Sequence, residues 1–275
     1  MSEPSNALGT RRVGVGDQLV RRSLSSDLRA RAELGDLLCR EVESADSHVV
    51  FAGMDGLDEA DARTFVAMAT ELLGQPLAQD VHGALIRDVR YRGVRLGEGS
   101  TGRYSDSRDG GSLHTDGPHM PGEPPDHFTL FCVRQSRTGG DLILVHRDAL
   151  MERLSPDAVR TLGEGYHFDR RSDLVDELTL VRPILTSRRI SYLREYIEIG
   201  HAHPDVPMLK SRQRSALDEL DQLLNDRGLW RTERLVPGEF IVIDNRVVCH
   251  GRTAFRDSPE EPQRLMLRTW IRRSQ

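Results

Sequence analysis

Three side chains in this sequence have the types and spacing to hold one metal ion. In Ser112-Leu113-His114-Thr115-Asp116-Gly117, His114 and Asp116 stand two apart, and in an extended chain such residues point to the same face. A third ligand is offered by His250, in Val247-Val248-Cys249-His250-Gly251-Arg252. That segment follows the apolar run Phe240-Ile241-Val242-Ile243, which reads as a buried strand. Two imidazoles and one carboxylate on one side of an ion leave other positions open, the arrangement of non-haem Fe(II) sites that use oxygen. His114, Asp116 and His250 are therefore the expected metal ligands and catalytic centre.

A His-x-Asp pair arises often by chance, so its surroundings decide its weight. Arg264 and Arg268 follow His250 by fourteen and eighteen residues, in the apolar-rich stretch Arg264-Leu265-Met266-Leu267-Arg268-Thr269-Trp270-Ile271. If that stretch is a strand, inward-facing arginines need anionic partners, because an unpaired buried charge is costly.

Taken in order, His114-Thr115-Asp116-Gly117, Thr138-Gly139-Gly140-Asp141, Asp244-Asn245-Arg246 with His250-Gly251-Arg252, and Arg264 with Arg268 form a specific set. The set resembles the taurine dioxygenase and clavaminate synthase-like family of Fe(II)- and 2-oxoglutarate-dependent oxygenases. The resemblance implies Fe(II), 2-oxoglutarate as co-substrate, and O2. It implies that Arg264 binds the distal carboxylate of 2-oxoglutarate, a task suited to a planar two-donor group. Arg252 matches a position that assists at the metal-proximal carboxylate in some members. Arg268 matches the one that holds the substrate's anionic group in taurine dioxygenase, with a salt bridge to a nearby carboxylate as the alternative. One departure stands out: many members carry Thr directly after the Gly-Gly turn motif, where this chain has Leu142. Asp116 also sets the chain apart from halogenating members, which have a small residue there.

The elements that must position these residues can be sketched from periodicity and punctuation. Residues 1–24 read as a loose leading segment, then a helix capped by Ser25 or Ser26 runs to about Ser44. A strand follows over 48–54, a helix over 58–73 closed by Gly74, and a strand over 85–91. The polar stretch Gly93 to Gly111 reads as a wall or lid, with Thr101, Arg103, Tyr104 and Asp106 as minor candidates. Strands are expected over 128–133, 142–145, 166–170, 178–184 and 190–197, and helices over 156–162 and 207–225. His201-Ala202-His203 has metal-like spacing but no partner carboxylate, and reads as a surface loop. His48 and His82 read as structural or exposed, and His119 and His127 as packing residues beside a proline-rich segment. The pattern is mainly β with flanking helices, and suits a double-stranded β-helix, a cupin-like jelly roll. The resemblance implies the same fold. One domain over 1–275 is expected, with 1–84 as a helix and strand flank and 85–275 as the core, interrupted by the 207–225 helix.

Composition sets outer bounds. A net charge of -5 argues against nucleic acid or acidic membranes as general partners. No apolar run approaches a membrane span. Cys39, Cys132 and Cys249 are too far apart for a metal motif, and an odd count without a visible signal peptide suits the cytoplasm. The expected partner is a small-molecule substrate, and a symmetric homodimer is the default assembly. The reading is an oxygenase that hydroxylates, desaturates or cyclises a small polar metabolite, such as an amino acid or a derivative in specialised metabolism. The alternative is a jelly-roll metalloprotein that uses the same ligands for Zn or Ni, as a hydrolase or as a binding module without catalysis.

Overall fold

The computed structural model describes residues 10–80, 82–94, 104–171, 177–258, 260 and 262–273. The chain begins with β1 (Arg12–Gly14), α1 (Asp17–Leu24), α2 (Leu28–Glu43), β2 (His48–Ala52), α3 (Glu59–Leu73), β3 (Gln75–Leu77) and β4 (Arg87–Val89). There follow β5 (His127–Arg134), β6 (Thr138–Gly139), β7 (Leu142–His146), α4 (Arg147–Met151), α5 (Pro156–Leu162), β8 (Gly165–Asp169) and β9 (Thr179–Pro183). The last part holds α6 (Arg194–Ala202), α7 (Ser211–Leu224), β10 (Arg231–Glu233), β11 (Phe240–Asp244), β12 (Val248–Arg252), β13 (Phe255–Arg256) and β14 (Leu265–Arg272).

Two sheets face each other. The larger runs β1-β2-β11-β5-β14-β3, with β4 also pairing β14, and the smaller runs β10-β7-β12. Alternation along each strand sorts the core into layers. Phe128 and Leu130 of β5, Ile241 and Ile243 of β11, and Met266 and Trp270 of β14 meet Leu142, Leu144 and Val248 of the smaller sheet. That is the interior of the jelly roll. The opposite parity, Phe131, Phe240, Val242, Leu265 and Leu267, packs against α2 and α3. Ile143, Val145 and Cys249 pack against Leu150, Leu162, Leu217 and Leu220 from the helices outside the smaller sheet. The fold is thus the expected jelly roll, built as two facing sheets and not as one closed barrel. No helix among the described residues is long and apolar enough to cross a membrane.

Local chemistry accounts for most boundaries. Asp27 accepts hydrogen bonds from the Arg29 and Ala30 amides and starts α2, Asp58 does the same for α3, and Ser155 caps α5 with Pro156 in its first turn. Several sequence-based expectations fail, among them the cap of α2, which is Asp27 and not Ser25 or Ser26. The stretch expected to be loose contains β1 and α1 within its described part, residues 10–24. Three residues carry no readable period, and β1 exists because it pairs in parallel with β2. The strand expected over 190–197 survives only as a bridge at Ile190, and α6 begins at Arg194. Its Ile197, Gly200 and His201 are buried at helical spacing, and Arg194 pairs with Glu198 one turn on. His201 therefore lies in a helix and is 8% exposed, not in a surface loop.

The Thr138-Gly139-Gly140-Asp141 turn is set by close approach. Gly139 and Gly140 both have positive φ, +68° and +76°. A Cβ on Gly139 would sit 1.9 Å from the Ala254 carbonyl oxygen, and one on Gly140 would sit 3.1 Å from Arg264 Nε. A side chain at Gly139 would push on the Ala254–Phe255 backbone, and one at Gly140 on Ser136 and the Arg264 side chain. Gly139→Ala is expected to destabilise the protein by about 2 kcal/mol or more in urea unfolding; a change within about 0.5 kcal/mol would show that the turn yields freely.

Candidate active site

The two histidines are joined through their backbones. His114 N donates to His250 O at 2.9 Å and His250 N donates to His114 O at 2.8 Å, an isolated antiparallel bridge. The imidazole centroids are 4.7 Å apart. His250 shares the inward face of β12 with Val248, and the Phe128 ring lies against it at 4.0 Å. His114 Nδ1 sits 3.1 Å from Ser112 O, which orients its ring. His250 Nδ1 is buried without a hydrogen-bond partner among the described residues, so packing against Phe128 sets that ring.

Asp116 is pinned from the opposite side of its segment. Its amide donates to Asn245 Oδ1 at 2.8 Å, while Asn245 Nδ2 donates to the carbonyls of Asp116 and Pro125. Thr115 between the ligands exchanges hydrogen bonds with the Tyr192 backbone. The carboxylate takes one donor on each oxygen: Arg268 Nη1 to Oδ1 at 3.0 Å and Trp270 Nε1 to Oδ2 at 2.8 Å. His250 Nε2 lies 4.0 Å from Oδ2, less than twice a metal–ligand bond of about 2.1 Å. One ligand atom from each of His114, Asp116 and His250 falls within 4.8 Å of the others, the sole such group among the described residues.

The protonation states match a divalent ion. Burial lowers the pKa of His114, and burial followed by the neighbouring His114 pushes His250 down to about 3. Burial acts against the charged form of Asp116 as well, but Arg268, the histidines and the Trp270 N–H outweigh it and hold the carboxyl below its usual range. Two neutral imidazoles and an ionised carboxylate can take a metal without displacing protons.

Arg264 is 2% exposed. Its Nε donates to Gln135 Oε1 at 3.2 Å, while Nη1 is buried with no partner among the described residues. Burial, then the positive charge of Arg252, lowers its pKa to about 10, which still leaves it charged at neutral pH. Both guanidiniums lie over the Phe255 ring, at 5.2 Å for Arg264 and 4.7 Å for Arg252. A buried cation with an unused donor beside a second cation fits an anionic group. Leu142 is 5% exposed within the apolar interior and supplies no hydroxyl there.

Arg252 directs its donors into backbone carbonyls, those of Tyr104, Ser107, Asp109 and Thr253. It thereby clasps the end of the polar loop, and Tyr104 in turn lies edge-on to His114 at 5.8 Å. Asp106 pairs with Arg87 and Arg92, a structural role. Thr101 and Arg103 lie outside the described residues. Arg268 pairs with Asp116, the salt-bridge alternative, yet its Nη2 has no hydrogen-bond partner among the described residues. Sequence reasoning missed Gln79, Phe128 and Trp270. Trp270 alone left a signal, since it stands two after Arg268 on the same strand face.

Comparison with known proteins adds an independent line. The sequence profile of the taurine catabolism dioxygenase TauD, TfdA family matches residues 21–270. FR-33289 synthase of Streptomyces rubellomurinus (strain ATCC 31215) is 24% identical over 238 residues, 79% of this chain, which spans 66% of that relative's length. Among solved structures, asparagine oxygenase in complex with Fe(II), 2S,3S-3-hydroxyasparagine and succinate superposes with a TM-score of 0.72 at 20% identity, over 94% of this chain and 93% of that one. The non-haem iron oxygenase OrfP with Fe, succinate and (3S)-hydroxy-L-Arg gives 0.70 at 18%, over 95% and 94%. At these identities the two structures bear on the fold.

Two outcomes are expected from this geometry. Burial holds His250 near about 3 and His127 near about 4, against about 6.5 in an unfolded chain. Below about pH 6.5 the unfolded chain therefore binds protons that the metal-free folded protein refuses. Stability should be complete above that pH and decline below it, by up to about 1.4 kcal/mol per pH unit for each such histidine. Urea unfolding between pH 8 and 4.5 measures the slope, and His127→Phe should flatten it. Arg252→Leu should speed hydrogen exchange at the 104–109 amides on the order of tenfold or more; unchanged protection would mean that the loop holds itself.

Proposed function

Since the chain belongs to the taurine catabolism dioxygenase TauD/TfdA family, and is on that footing a non-haem Fe(II)- and 2-oxoglutarate-dependent dioxygenase, we propose that it acts on a small polar metabolite. The substrate is an amino acid or an amino-acid-derived intermediate of specialised metabolism, and the outcome is hydroxylation, or desaturation or ring closure by related chemistry. His114, Asp116 and His250 hold the iron, Arg264 the distal carboxylate of 2-oxoglutarate with Arg252 beside it, and Arg268 an anionic group of the substrate. The buried Nη1 of Arg264 carries this reading, because it has no hydrogen-bond partner among the described residues and calls for an anionic one.

Fe(II) held by His114, Asp116 and His250 would supply the redox chemistry by which O2 and 2-oxoglutarate are consumed and a substrate C–H bond is oxidised. The protein's own residues bind, orient and exclude. Phe128, Leu142, Leu144, Val248 and Met266 keep the interior around His250 apolar and dry. Arg264 and Arg252 place two positive charges against the Phe255 ring, which suits a dianionic co-substrate. With Leu142 at the usual hydroxyl position, Gln135 is the polar side chain that steadies Arg264. Arg268 retains Nη2 for a carboxylate of the substrate while Nη1 serves Asp116. Amino-acid substrates are supported by the ligands named for the structural relatives, hydroxyasparagine in one and hydroxyarginine in the other. A zinc or nickel hydrolase, or a binding module, would have no use for a buried arginine with a donor left open to an anion.

Anaerobic titration of the metal-free protein with Fe(II) and then 2-oxoglutarate is the test. A weak visible charge-transfer band is expected in the wild type. Arg264→Ala should raise the 2-oxoglutarate concentration needed for it on the order of 100-fold. If Fe(II) binds but no band forms at any 2-oxoglutarate concentration, the co-substrate assignment fails.

A further inference from the structure

The carboxylate of Asp116 is the end of a chain of side chains that begins in the N-terminal part of the molecule. Gln79, between β3 and β4, is 6% exposed. Its Nε2 donates to the carbonyls of Leu85 at 2.9 Å and Arg268 at 2.8 Å. With both amide protons on carbonyl oxygens, the side chain can face only one way. Oε1 is then left to accept from Arg268 Nε at 2.8 Å. Arg268 so held delivers Nη1 to Asp116 Oδ1, and its guanidinium lies over the Trp270 ring at 5.0 Å. Trp270, two residues on along β14, delivers Nε1 to Oδ2.

We infer that Gln79, Arg268 and Trp270 are positioning residues for the metal carboxylate, which keep Asp116 to single-oxygen coordination. The inference rests on the reading that His114, Asp116 and His250 hold a divalent ion. The terminal torsion of an aspartate is soft, so an unrestrained carboxylate could swing both oxygens onto an ion and close a position that the co-substrate or oxygen needs. One donor on each oxygen, from a guanidinium and an indole on the same strand face, fixes the carboxylate plane. Gln79 sets the rotamer of the guanidinium. The histidines need no such help, since their backbones are bonded to each other.

The test titrates metal-free full-length protein with Co(II), by calorimetry and by the visible ligand-field spectrum, without co-substrate or substrate, so that substrate binding by Arg268 contributes nothing. Trp270→Phe and Gln79→Met should each bind Co(II) about 10-fold or more weakly and should alter the shape and intensity of the Co(II) bands. Gln79→Met added to Arg268→Met should cost nothing further, because the glutamine acts through the arginine. Arg268→Lys, which keeps a positive donor but gives up the fork to Gln79, should fall between wild type and Arg268→Met, and replaces Trp270→Phe if that variant fails to fold. Wild-type affinity and spectrum in these variants would overturn the inference while leaving the metal site intact. Failure of the wild type itself to bind Co(II) would overturn both.

Discussion

The reciprocal backbone hydrogen bonds between His114 and His250 join two distant parts of the chain at an isolated bridge, outside any longer ladder. An isolated bridge is held only as well as its flanks are. Here the flanks are fixed separately: Thr115 to Tyr192 on one side, and Asp116 to Asn245 just before β12 on the other. Asn245 is fully buried and uses its amide three times, on Asp116 N, Asp116 O and Pro125 O. The three candidate metal ligands thus converge on backbones that the chain itself constrains.

The second constraint is charge on the inward face of β14. Arg268 and Trp270 point into the interior with Met266, while Leu265, Leu267 and Thr269 face the helices. Thr269 shares hydrogen bonds with Thr70 of α3 and Thr129 of β5, which anchors the strand from behind. A strand so held can carry cations into an apolar interior provided that each finds an anion. Arg268 finds Asp116 within the chain. Arg264 has Asp257 near enough to act on its charge, yet its Nη1 has no hydrogen-bond partner among the described residues.

The polar loop and the site are coupled through Arg252. Its cation is spent on carbonyls of residues 104–109, and its ring contacts hold Tyr104 and Phe255. Tyr104 then borders His114, and Phe255 borders Arg264. A single residue two past His250 therefore touches the neighbours of both His114 and Arg264. The family resemblance implied a ligand contact for it; its geometry points first to the walls.

The candidate metal ligands were legible in the sequence because strand alternation and a few spacings suffice to mark them. His-x-Asp needs only a period of two, and the inward arginines of β14 follow from an apolar run interrupted every fourth residue. The main helices and strands were legible for the same reason, being periodic or, at Ser155, capped, whereas the cap of α2 fell on Asp27 and not on the expected Ser25 or Ser26. What stayed hidden depends on partners distant in the chain. β1 is a strand only because β2 lies beside it, and α6 is a helix whose buried face is defined by β8 against it. Gln79 carries no local mark at all, since its amide acquires meaning only when β14 brings Arg268 within reach. Arg268 itself shows the division: sequence placed a cation near the metal, and only the packed structure put its Nη1 on Asp116, because a buried charge settles on the nearest anion that three dimensions provide.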